Sequence, residues 1–426
     1  MGQLFSSEEQ LSQVKDAMGF VLYDAMLEGG AVPDLEVVHP LLLSNHGESF
    51  DSRAGLQEQL KQLQGDIGKR APTYLKDLIG RLSSFSDELR LAGLVGLVVS
   101  MVMDMAYTSK QPSAVKGKSA GSSSGQQRVW ELQEVTEEYL KRCRINLSDK
   151  SKLIQDSVRL EAQLSLTLTQ LKTSLLGGDC DSRSLRHWAS GAAFHTQMLV
   201  HLAGLEGQAE PRAARAALEQ YKEDLTQIIP AYRHYKSNMV CVVKCRGSLL
   251  ASCDPHSEEP EEGSMTGLTV TDRETGKSVT LSLSTMKEET GRRMRVSGTD
   301  ATPVPTVPSS SSSINLDLIT SDQYAQAYLH HLFSDKGPLA ELEDYFIKAS
   351  ANLRTLRTEP GCTNNKGVGN EIKESDGVHV RDQAQGSDGE QRVDRRGRLE
   401  EECEQRDEGL QLSIVETQPN ERPNHS

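Results

Sequence analysis

The chain opens Met1-Gly2-Gln3-Leu4-Phe5-Ser6. This is the pattern in which Met1 is removed and the amine of Gly2 receives a myristoyl group. Only an unbranched Cα lets that amine reach the acyl donor in a narrow tunnel, and the small hydroxyl of Ser6 suits the same tunnel. The competing reading is a small second residue that merely permits removal of Met1. One myristoyl chain gives marginal bilayer binding, on the order of 10⁴ M⁻¹, so stable attachment needs a second signal. A basic one is missing here, because Glu8 and Glu9 come first and Lys15 is the earliest base.

The seven cysteines are Cys143, Cys180, Cys241, Cys245, Cys253, Cys362 and Cys403. Their odd number and irregular spacing in a long chain do not make a disulfide framework. Cys241-x-x-x-Cys245 with Cys253 is the one cluster, and three readings stay open. Structural zinc wants two ligand pairs, and Cys253 with His256 would supply the second. Ordinary buried or exposed thiols are the plainer reading. Palmitoylation of Cys241 and Cys245, beside Val, Met, Tyr232 and Tyr235, would give the second membrane signal. The expectation is no metal and no cofactor.

Other chemistry is thinly represented. His187, His195 and His201 lie near one helix, but His195 and His201 are six apart and share no face well. They read as surface or boundary histidines rather than ligands. His330 and His331 are adjacent and diverge on a helix. Gly117-Lys118-Ser119 and Gly276-Lys277-Ser278 resemble the end of a phosphate loop. The first glycine of that motif is replaced by Pro112 and Thr271, so the amide cradle fails. No C-x-x-C or G-x-G-x-x-G occurs, and paired carboxylates such as Glu400-Glu-Glu402 sit in solvated runs. The expected protein is not an enzyme.

Charge narrows the partners. The 426 residues carry a net charge of −14 with a pI near 5.4, which argues against nucleic acid. Hydrophobic residues make up 36%, aromatics 4%, and the mean hydropathy is −0.50. That is lean for a fully packed chain. The sequence therefore reads as mostly α, an irregular multi-helix bundle with a long disordered insertion and a disordered C-terminal tail.

The elements follow from periodicity. Ser7 and Gln10 form a capping box before Leu11, Val14, Met18, Val21, Leu22 and Ala25, and Gly29-Gly30 ends that helix. A second helix after Asp51 carries Leu56, Leu60, Leu63 and Ile67. Pro72 opens a third, with Leu75, Leu78, Ile79 and Leu82. Residues 88–108 form the most apolar helix. Its uncharged run, Leu91–Met103, is 13 residues, short of the roughly 20 that span a bilayer. It reads as a buried bundle centre in which Gly93 and Gly96 allow close contact. Membrane insertion is the alternative.

Residues 111–127 are a Ser/Gly/Lys linker. A helix with Val129, Leu132, Tyr139 and Leu140 follows. A long one from near Asp149 to Gly177 bears Leu153, Leu160, Leu164, Leu168, Leu171 and Leu175. The next, after Asp181, carries Leu185, Trp188, Ala192, His195, Leu199 and Leu202. Pro211 starts another, with Ala214, Ala217, Leu218, Tyr221, Leu225 and Ile228, and Pro230 is expected to stop it. Met239-Val-Cys-Val-Val reads as a short strand or a last helical turn. Residues 252–313 are polar, with a hairpin formed by residues 268–271 and 278–283. Ser321 is expected to cap a helix with Tyr324, Tyr328, Leu329 and Leu332, and Asp335-Lys-Gly-Pro338 turns the chain into a second. After Arg357 the pattern stops and acidic residues dominate.

Six blocks result: 1–110, 111–127, 128–251, 252–313, 314–357 and 358–426. The functional expectation is an N-myristoylated, peripherally attached adaptor or scaffold. It would be cytoplasmic and partly at the cytosolic face of a membrane, with unidentified protein partners and no nucleic acid. Its acyl chain would shelter beside Leu91–Met103 until a partner releases it. The alternatives are a helical protein inserting residues 91–103 into lipid, and an enzyme of unidentified class.

Overall fold

Side-chain caps start three of the helices. Asp149 accepts the Lys152 amide at 3.1 Å and starts the helix Lys150–Leu176, which Gly177 closes. Asp181 accepts the Ser184 amide at 2.8 Å and starts Ser182–Glu206, which ends at Gly207 with φ +73°. A side chain there would be strained, so glycine fits. Thr320, one residue ahead of Ser321, and Gln323 form a reciprocal capping box before Ser321–Leu332.

The computed structural model describes residues 8–37, 73–84, 93–102, 124–246, 264–296 and 316–356. Ten α-helices cover 76% of them, a mostly α protein. In chain order these are α1 (Glu8–Glu28), α2 (Thr73–Ser84), α3 (93–102), α4 (Ser124–Ile145), α5 (Lys150–Leu176), α6 (Ser182–Glu206) and α7 (Arg212–Met239). Then come β1 (Val240–Arg246), β2 (Met265–Asp272), β3 (Lys277–Ser282), α8 (Leu283–Val296), α9 (Ser321–Leu332) and α10 (Pro338–Thr355). Gly2, Ser6, the helix expected after Asp51, most of the 111–127 linker, the ends of the 252–313 insertion and the tail from 357 lie outside the described residues.

Two apolar cores organise these elements. The larger takes the leucine stripe of α5, Leu153, Leu160, Leu164, Leu168, Leu171 and Leu175, with α2, α3, α4, α6, α7 and α10. Each such leucine contributes about 1.5–3 kcal/mol by leaving water. Trp188 of α6 is fully buried. It lies edge-on to Tyr221 at 5.9 Å and stacks on Phe346 at 6.3 Å, which pins α7 and α10 to α6. Residues 93–100 of α3 are all buried, as expected for a bundle centre. The smaller core gathers Val14, Met18, Leu22 and Met26 of α1 with the sheet, Met286 of α8, and Tyr324, Tyr328 and Leu332 of α9.

The sheet is antiparallel in the order β1-β2-β3. Val242 pairs with Val270, and Val270 with Val279. Val240, Val242, Leu268 and Val270 face the core. Thr269–Thr280 and Thr271–Ser278 hydroxyl pairs, at 2.9 and 2.8 Å, line the other face. An isolated hairpin would be marginal in water. This one docks, through β1 and the helices beneath.

Three local expectations change. Pro230 does not stop α7, which continues to Met239. Proline removes one amide from the ladder, but Pro230, Thr226 and Gln227 are exposed, so water reaches the freed carbonyl. Buried contacts of Tyr232 and Lys236 hold the helix beyond it. The insertion is not only a hairpin: α8 follows β3 directly. The 111–127 linker also yields its last residues to α4, which begins at Ser124.

Two glycines set how closely α3 approaches α6. A methyl on Gly93 would lie 2.7 Å from the His201 Cα, whereas one on Gly96 would meet the flexible Gln197 amide. Gly93→Ala should therefore destabilise the protein by about 1–3 kcal/mol through overpacking. Gly96→Ala should cost less, because Gln197 can yield. Urea melts of the two variants check the order.

Candidate functional site

The candidate site residues on β1 are set by strand alternation. Val240 and Val242 face the core, so Cys241, Val243 and Cys245 share the opposite face. Cys245 is buried, with Sγ 3.3 Å from the Thr269 hydroxyl; Cys241 is half-buried and the more accessible thiol. Cys253 and His256 lie outside the described residues. Among the described residues no group of three or more His, Cys, Asp or Glu side chains could hold a metal ion. Gly121-Ser-Ser-Ser-Gly125 matches the letters of a G-x-S-x-G nucleophile elbow, but its Ser123 also lies outside them. Lys277, read above against a phosphate loop, donates to the Gly30 carbonyl at 2.6 Å and holds the end of α1.

The histidines of α6 are not at the surface. All three are buried, because α3, α4, α5 and α7 pack around this helix. His195 sits between two partners. Its Nε2 is 2.9 Å from a Glu161 oxygen and its Nδ1 is 2.6 Å from the Tyr221 hydroxyl. In the neutral ring Nε2–H donates to the carboxylate and Nδ1 accepts from the phenol, a tautomer inferred from these partners. The bond from His195 holds the Glu161 carboxyl below the usual range. Burial, reinforced by Asp224 and Glu161, pushes the Tyr221 phenol up. A carboxylate–imidazole–phenol chain thus ties α5, α6 and α7. His201 makes a second tie, its Nδ1 lying 2.7 Å from the Tyr139 hydroxyl of α4.

His187 borders a cavity of about 40 Å³ with Ser100, Met101, Leu132, Thr136 and Phe194. That space suits a water or two. Burial lowers the pKa of His187 from 6.5 to about 4, with Arg183 and Arg186 adding to the shift.

A charged network joins the two cores. Lys236 of α7 is fully buried and donates to Asp272 at 2.6 Å and to Glu274. Glu274, in the β2–β3 turn, accepts the Ser182 amide at 2.6 Å and the Ser182 hydroxyl at 2.8 Å. Ser182 also lies 2.8 Å from the Tyr232 hydroxyl. Glu274 therefore caps the N-terminus of α6 from a turn 92 residues away, where helix polarity favours an anion. Sequence reasoning missed this cluster. Its one signal is Lys236 itself, four residues beyond Tyr232 on the apolar stripe of α7.

No family profile, curated protein or solved structure matches the chain.

Two outcomes test these assignments. Lys236→Met should cost about 3–5 kcal/mol by stranding two buried carboxylates, and adding Asp272→Asn with Glu274→Gln should restore most of it. Denaturant midpoints check both. Between pH 6.5 and about 4 the unfolded chain gains a proton that the folded His187 refuses. Stability is full above that window and falls by roughly 3 kcal/mol as pH drops through it. His187→Gln should lose this component in melts at pH 7 and pH 4.

Proposed function

We propose that the protein is an N-myristoylated, peripherally membrane-attached helical adaptor without catalytic activity of its own. It would work in the cytoplasm and partly at the cytosolic face of a membrane, holding protein partners there. The observation that carries this reading is Gly2 with Ser6, followed at Glu8 by the start of α1. Val14, Met18, Leu22 and Met26 fix that helix to the smaller core. A lipid on Gly2 would then be tethered, through six residues, to a folded body.

The burial of α3 weighs against insertion of residues 91–103. Leu94, Val95, Leu97, Val98 and Val99 are each at most 6% exposed. Their departure would uncover the apolar side chains packed against them, at about 25 cal/mol for every Å² of that core surface left to water. Among the described residues no helix is long and apolar enough to cross a membrane. The shelter once expected beside this helix is also small, since the cavity touching Ser100 and Met101 measures about 40 Å³. A fatty chain would have to displace side chains to enter. In this reading the acyl chain is offered to lipid or to a partner. Cys241 is the better-exposed candidate for a second acyl group, because Cys245 is buried.

The intact mass of the N-terminal peptide from eukaryotic cells should show the loss of Met1 and the gain of a myristoyl group. Gly2→Ala should move the protein from the membrane to the soluble fraction. A bare or acetylated Gly2, or an unchanged partition, removes the anchor.

A further inference from the structure

A groove of about 380 Å³ runs between α7 and α10, within the size range of ligand clefts. Its apolar lining comes from Ile229 of α7, Phe333 at the end of α9, and Leu339 and Ile347 of α10. Ile347 is the exposed large apolar side chain of α10. The stripe of α10 that faces the bundle is Leu339, Leu342, Phe346, Ala349 and Leu353. Ile347 lies off it and is 57% exposed, an apolar side chain at mid-helix beside an open recess.

Acids outnumber bases at the rim. Asp335, Glu343 and Asp344 border the recess. Asp344 takes Lys348 at 2.5 Å. Asp335 and Glu343 have no ion-pair partner among the described residues. Arg233, the base among the lining residues, lies over the Phe333 ring, 5.1 Å from its centroid. A second copy of this chain, with a net charge of −14, would meet like charge here. A helix offering apolar side chains at i, i+3 and i+4 fits a channel between two helices.

We propose that this groove receives an amphipathic helical segment of a partner protein, apolar on the inserted face and bearing lysine or arginine beside it. The inference deepens the adaptor reading by giving the partner's chemistry, and it is independent of the acyl group.

The test uses the full unacylated chain and a fluorescein-labelled synthetic helix of leucine and lysine, with leucines on one face. Fluorescence anisotropy should show saturable binding. A helix with glutamate for lysine should not bind. Ile347→Asp should weaken binding about tenfold or more, as an interface anchor does, and Glu343→Lys about threefold. Both side chains are exposed, so both variants should melt with the parent; Ile347→Ser serves if Ile347→Asp does not. The sign is decisive. Ile347→Asp adds negative charge, so unspecific attraction of a cationic peptide would rise. Equal or tighter binding to Ile347→Asp overturns the proposal, as does equal binding of the glutamate helix. A dimer in sedimentation that Ile347→Asp abolishes would make the occupant a second copy and overturn it too. None of these results bears on the Gly2 anchor, and loss of the anchor leaves them unchanged.

Discussion

The arrangement depends on one buried contact, Glu274 against the start of α6. The first amides of a helix have no partner within the helix. At α6, Asp181 satisfies one from within the local chain, and Glu274 satisfies another from the distant β2–β3 turn. A carboxylate in that place brings negative charge into a buried setting. Lys236 answers it, and Asp272 completes the group. Buried ion pairs of this kind are a poor source of net stability, yet breaking one is costly. Here they hold the β2–β3 turn against α6 through Ser182 and against α7 through Lys236.

The same helix is the axis of the larger core. Apart from the polar end at Glu206, α6 is buried along almost its whole length. Its polar side chains must find partners inside. His195 and His201 do so with Glu161, Tyr221 and Tyr139. Gln197 does not: it is fully buried, and neither amide atom has a hydrogen-bond partner among the described residues. Such a group costs about 1–3 kcal/mol. Gln197 lies against Gly96, so the α3–α6 contact is weaker than its apolar side chains alone suggest.

Much of the helical layout was legible in the sequence, for local reasons. The α5 leucines repeat at helical spacing, Asp149 and Asp181 are capping residues, and Gly177 and Gly207 are terminators. The apolar run in α3 and the glycines at its α6 contact could be read in the same way. The failures are non-local. Pro230 is tolerated because its turn faces water, which no single-sequence pattern reveals. Helix α8 looks like polar linker, although Leu283, Met286, Thr290 and Met294 recur at helical spacing and are wholly or partly buried. The histidines read as surface or boundary residues; the spacing gives α6 one apolar face, with His195 on it and His187 and His201 off it, whereas neighbours cover the helix on nearly all sides. The Lys236 cluster joins residues 36 to 92 apart in the chain, which spacing rules cannot reach.

Helix α7 passes into β1 without an intervening loop, Met239 being the last helical residue and Val240 the first of the strand. Such a junction has no slack. The direction of α7 therefore sets where β1 begins, and α1 packs on the core built around that strand. Continuous backbone thus joins the larger bundle to the seat of α1.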